Sequence, residues 1–162
     1  MHYNVIVTAE LRQTLANPAS LDMPTGVKTL LNNIFGSKVK VISEGTLRSS
    51  KEGRIILTFK SANGRDNTIS FSKSEPGLIA LCRGDTGFQE AVTVFLEEGK
   101  RHRCIGNGKS GEHVEFTVRT SKIDNRLLKS GKLNLEYSID VCGVCAESSQ
   151  MNITVVHDTS EK

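Results

Sequence analysis

The chain has 162 residues, 37% hydrophobic and 24% charged, with 21 basic against 18 acidic residues and a formal net charge of +3. That composition fits one domain with a single core and carries no signal of disorder. The charge surplus is too small to point to nucleic acid, and six Phe, two Tyr and no Trp argue against base-stacking platforms.

The chain opens on Tyr3 to Ala9, which alternates around Val5 and Val7 and reads as a first strand. Its apolar run, Val5-Ile6-Val7, is far shorter than the roughly 7–15 residues of a signal peptide. No window approaches the roughly 20 apolar residues of a membrane span. The expectation is a cytoplasmic protein without a membrane partner, its cysteines Cys82, Cys104, Cys142 and Cys145 mostly reduced.

Asn17-Pro18 and Met23-Pro24 then break the chain, and Val27, Leu30, Leu31, Ile34 and Phe35 fall at helical spacing before Gly36. Residues 11–37 thus read as an insertion bearing one short helix. From Lys38 onward the apolar residues recur at period two, the signature of strands with one wet and one buried face. Strands are predicted over Lys38–Arg48, Arg54–Lys60, Asn67–Lys73, Leu78–Arg83, Glu90–Leu96, Lys100–Ile105, Glu112–Ser121, Leu133–Val141 and Met151–Val156. Gly45 inside the first of these suggests a bulge or sharp bend. Asn63-Gly64 suits a two-residue type I′ hairpin. A helical turn through Ile123, Leu127 and Leu128 is expected before Leu133. So many evenly spaced strands imply an all-β, antiparallel up-and-down barrel of about 8–10 strands, one domain over residues 1–157 with a disordered tail at 158–162.

Several segments in this order resemble a known family: Ile42-Ser43-Glu44-Gly45, Leu81-Cys82-Arg83-Gly84-Asp85, Phe116-Thr117-Val118-Arg119-Thr120 and Gly131-Lys132-Leu133-Asn134-Leu135-Glu136-Tyr137. The chain is similar in these to the YwiB-like bacterial proteins. The resemblance implies a small calycin-type, lipocalin-like barrel from a family of unknown function, and supplies no chemistry. Where that family tends to carry a Tyr-x-Thr-Pro-x-Gly-like segment before the Phe116 strand, this chain has Gly106-Asn107-Gly108-Lys109-Ser110-Gly111.

The motifs weigh against catalysis. His2, His102, His113 and His157 are dispersed, and no Gly-x-Ser-x-Gly, His-Glu-x-x-His or Walker segment occurs. Gly106-x-Gly108-x-x-Gly111 matches a dinucleotide fingerprint in letters, but strand patterns flank it on both sides. Cys142-Gly143-Val144-Cys145 invites a metal or redox reading, with Cys104 or His102 as further ligands. Its simplest reading is a hairpin turn, because Cys82 and Cys104 offer no second ligand pair. No catalytic residue, metal site or cofactor is therefore assigned. Arg101-His102-Arg103 is a cationic patch in which His102 takes the face opposite the arginines. Arg83, if inward, is a buried cation whose partner could be a ligand carboxylate.

Two functions follow. The first is a module binding a small, largely apolar ligand in or at the mouth of the barrel, with Phe59, Phe71, Arg83, Phe95, His102, Phe116 and Tyr137 as candidate lining. The alternative is a protein-interaction module acting through its outer surface or residues 11–37. An enzyme with a site at the mouth, using Arg83, His102 and Tyr137, ranks below both.

Overall fold

The computed structural model describes residues 1–15, 38–84, 91–107, 112–141 and 144–159, with the backbone alone for 13–15 and 144–147. The helix expected within 25–36 lies outside the described residues, as do Gly108 to Gly111. Ten strands follow one another: β1 (His2–Leu15), β2 (Val39–Ser49), β3 (Arg54–Lys60), β4 (Asp66–Ser72), β5 (Glu75–Arg83), β6 (Val92–Glu97), β7 (Arg101–Asn107), β8 (His113–Arg126), β9 (Lys132–Val141) and β10 (Val144–His157). A single helical turn, α1 (Leu127–Ser130), separates β8 from β9 and ends on Gly131 in the left-handed region at φ 69°.

All pairings are antiparallel, and the sheet order is β6-β5-β4-β3-β2-β1-β10-β9-β8-β7. Every strand thus pairs with its sequence neighbours except β6 with β7, β1 pairs with β10, and the sheet curls into a nearly closed barrel. The alternation that defines it is clearest in β9, where every second residue from Leu133 to Val141 is buried. The core is aliphatic: Val5, Val7, Ile55, Leu57, Ile69, Ile79, Leu81, Leu96, Val118, Leu133, Leu135, Ile139 and Ile153 are all essentially removed from water. At about 25 cal/mol per Å² of apolar surface, such burial is what holds a fold with no disulfide among its described residues.

The last gap, between β6 and β7, is a seam. The two strands are joined by the turn Glu97–Lys100, in which Lys100 N–H donates to the Glu97 carbonyl (3.0 Å). Closure there comes from β8, whose register shifts between Thr120 and Lys122. Gly99 N–H donates to the Thr120 carbonyl (2.9 Å) and Thr120 N–H to the Lys100 carbonyl (3.2 Å). Glu98 accepts the Ile123 N–H (3.0 Å), and Asn125 donates to the Pro76 carbonyl (3.0 Å).

Two local expectations need correction. Gly45 is no bulge: it stands in register with Val5 on one side and Phe59 on the other. Its role is close approach, since a Cβ there would lie 2.5 Å from the Thr58 carbonyl and 2.9 Å from Val7 Cγ2. The hairpin at Asn63-Gly64 is a three-residue loop and not a two-residue type I′ turn. Ser61 N–H donates to the Arg65 carbonyl (2.8 Å) and Gly64 N–H to the Ser61 carbonyl (3.0 Å), with Gly64 at φ 80°. Ser61 Oγ donates to both the Asn63 carboxamide and the Arg65 carbonyl, so side-chain bonds favour the longer loop.

Candidate functional site

An up-and-down order sends successive connections to alternate ends. One end carries the connections 16–38, 61–65, 84–91, 108–112 and 142–143; the other carries 50–53, 73–74, 98–100 and α1. The two longest interstrand connections, 16–38 and 84–91, therefore share an end, the end at which rigid barrels carry binding loops.

Within the barrel, the aliphatic wall gives way to polar groups at the end of β5 and partway along β8, β9 and β10. Arg83 closes β5 and points inward, 3% exposed. Its phase follows from Ile79 and Leu81, which occupy the same inner face. Across the interior, Arg83 donates to the Tyr137 hydroxyl at 3.4 Å, a buried bond between residues 54 apart in sequence. Tyr137 is 3% exposed and in phase with Leu133, Leu135 and Ile139. In register with it are Thr120 on β8 and Ser149 on β10, both buried. The Thr120 hydroxyl is 1% exposed in residue terms and has no hydrogen-bond partner among the described residues. Asn67 on β4 completes the polar set, accepting the Gly84 N–H at 2.9 Å.

Asn67 also borders a small hollow at this end, about 30 Å³, with Ala9, Leu11, Val39, Val41, Phe59 and Met151. It has room for one water-sized group. On the outer face of β1 to β4, a groove of about 730 Å³ opens to solvent and is lined by polar residues including Glu44, Lys60 and Asp66.

The other predicted residues separate. Phe59, Phe71 and Phe116 are inside, as their phases require. Phe95 is not. Val92, Val94 and Leu96 take the inner face of β6, so period two forces Phe95 outward, where it is 46% exposed. Its ring lies 6.3 Å from that of His102. His102 does take the face opposite Arg101 and Arg103, but it stands at the seam, with Nε2 3.7 Å from a Glu97 oxygen and without a hydrogen-bond partner. Arg83 and Tyr137 are thus brought together; His102 belongs to a separate cluster at the other end.

The seam is chemically quiet. Lys100 holds the Glu97 carboxyl below its ordinary value through a hydrogen bond, with His102 adding a smaller pull, and Glu97 in turn raises Lys100. Burial pushes the Cys104 thiol up, the opposite of an activated nucleophile. Arg103 on the cationic patch pairs with Glu115. Residues 142–143 join β9 to β10, with Val144 opposite Val141, so the cysteine motif spans a hairpin connection; Cys142 and the Cys145 side chain lie outside the described residues. Among the described residues, no group of three or more His, Cys, Asp or Glu gathers as metal ligands do.

Thr120 and Ser149 were not singled out from sequence. The signal was present: each sits in phase with an inward apolar stripe, Phe116/Val118 and Met151/Ile153.

These features define a ten-stranded up-and-down barrel with a buried cation at the end that carries its long connections. Among solved structures, the chain is similar to the YwiB protein from Bacillus subtilis, at 12% identity and a TM-score of 0.65, over 98% of this chain and 94% of that one. That likeness shows the fold. No family model matches the chain, and no curated protein matches it. No helix among the described residues is long and apolar enough to cross a membrane.

Proposed function

We propose that the barrel is a binding module for a small, largely apolar ligand, taken at the end bearing the long connections and oriented by Arg83 and Tyr137. One observation carries the reading: a guanidinium 3% exposed reaches across an aliphatic interior to a buried hydroxyl. Cores rarely hold such a group without a specific use, because moving it out of water is costly. The described walls enclose a hollow of only about 30 Å³ at that end. The ligand's apolar body therefore belongs at the mouth, with only its polar group reaching inward. This matches the limited space inside a small barrel.

A second reading rests on Phe95 and Ile105, large apolar side chains exposed on the two strands that flank the seam. They would serve a protein partner on the outer surface. Native mass spectrometry of protein purified from its own organism separates the two. Retention of a small molecule, lost in Arg83→Met, is expected. A bare mass together with a second polypeptide would favour the partner reading and remove the first.

A further inference from the structure

Outside the barrel, across β8, β9, β10 and β1, a groove of about 620 Å³ opens to solvent. Period two explains its floor: Ser148 and Gln150 on β10 and Ser138 on β9 alternate with inward residues, so short polar side chains cover the two central strands. Arg12 on β1 and Arg119 on β8 form the walls, three strand intervals or roughly 14 Å apart along the sheet. We infer that this groove, distinct from the mouth, binds a small phosphorylated polyol, a sugar phosphate in its simplest form. Its phosphate sits on Arg12 and its hydroxyls on Ser138, Ser148, Gln150 and Glu136.

Charge selects the phosphate. Arg12 is exposed and carries no ion pair among the described residues, and it stands opposite Gln150 in register. On the far side Lys122 and Arg101, also exposed and unpaired among those residues, are in register with Glu136 and Arg119. Asp140 is committed to Arg119, whose Nη2 donates to it at 2.9 Å and so uses one of five N–H groups. The face is therefore cationic, with Glu136 as the one uncommitted carboxylate in the groove. Glu136 repels a bare anion but accepts from hydroxyls, so the ligand that satisfies every wall carries both. Ser138, Ser148 and Gln150 make no side-chain hydrogen bond among the described residues, and each can donate and accept as a polyol requires. A base has nothing to stack on: the aromatic bounding the groove, Tyr137, is buried in the core.

The test titrates glucose and ribose, each phosphorylated at its primary hydroxyl, the two parent sugars, and inorganic phosphate calorimetrically into the full chain at low salt. A sugar phosphate is expected to bind about tenfold or more tighter than inorganic phosphate, and the parent sugars not measurably. In Arg12→Met the sugar-phosphate affinity is expected to fall about tenfold with the melting temperature unchanged, because the side chain is exposed and unpaired. Ser138→Ala combined with Ser148→Ala is expected to weaken the sugar phosphate several-fold and leave inorganic phosphate as it was, a split that a merely cationic surface cannot produce. Arg48→Met, an exposed arginine on β2, is the control and should change nothing. Equal affinity for inorganic phosphate and the sugar phosphates overturns the inference, as does an Arg48→Met loss equal to that of Arg12→Met. Binding of no probe overturns it too, and leaves the apolar ligand at the mouth standing.

Discussion

Tyr137→Phe removes one atom and, with it, the bond the hydroxyl makes to Arg83. The ring stays in place, buried among its neighbours at 3% exposure, so there is no cavity to open. What is lost is the hydroxyl that accepts from Arg83 at 3.4 Å. Hydrogen bonds to charged groups contribute about 1.5–3 kcal/mol, and this one is long, which puts the expected loss near 1.5 kcal/mol. For a chain of this size a kilocalorie shifts the melting temperature by roughly 2–4 °C, so a drop of about 3–6 °C is expected. Without tryptophan, circular dichroism is the practical probe. A double-mutant cycle with Arg83→Met isolates the pair, and about 1 kcal/mol of coupling is expected. Coupling near zero, or a Tyr137→Phe melt equal to that of the parent, would show that the interior bond contributes nothing and that the polar cluster has been misread.

Gly45→Ala should cost roughly 2 kcal/mol or more in chemical denaturation, because its new methyl would stand 2.5 Å from the Thr58 carbonyl in a strand held on both sides. Gly64→Val should destabilise by about 1–2 kcal/mol through its φ of 80° alone, whereas Gly77→Val, with open space and no positive φ, should be tolerated; equal melts would mean the loop's left-handed residue is not required. Glu97 is lowered when folded, so its contribution is present above its ordinary value of 4.5 and disappears as pH falls through the lowered one. Lys100→Met is therefore expected to flatten the melting profile below that pH, and an unchanged acid limb would count against the pair. Cys104, 5% exposed and with its thiol raised by burial, should be among the last sites labelled by a thiol reagent, read by peptide mapping, with the half-buried Cys82 ahead of it.

Most of the strands were legible because period two survives wherever one face meets an aliphatic core. The ends were less so. β1 runs on to Leu15, β8 to Arg126 and β10 back to Val144, and in each extension a few apolar residues are scattered among polar ones. Backbone pairing holds them, and a pattern of side chains cannot register that. Phe95 shows the opposite failure: its size argued for the interior, while Val92, Val94 and Leu96 had already taken that face. The alternation of Ile79 and Leu81 points Arg83 inward, but a charged residue beside a glycine gave no sequence signal that the alternation runs to the strand's end. The meeting of Arg83 with Tyr137 depends on how far the barrel curls, and no local sequence feature encodes that distance.

The ring of strands has one join that sequence order does not explain: β1 against β10, with Val5 opposite His157. Apart from β1 with β2, joined across residues 16–38, every other ladder is a hairpin or a short reversal, so the longest loop closure falls on this contact. The pairing also brings the start of β1 beside the end of β10, with Asp158 N–H bonded to the Asn4 carbonyl. A circular permutant cut within the 98–100 turn and joined at the old termini would read β7 through β10 and then β1 through β6. Its order along the chain would be its order around the barrel, and the slow closure would become one more local turn.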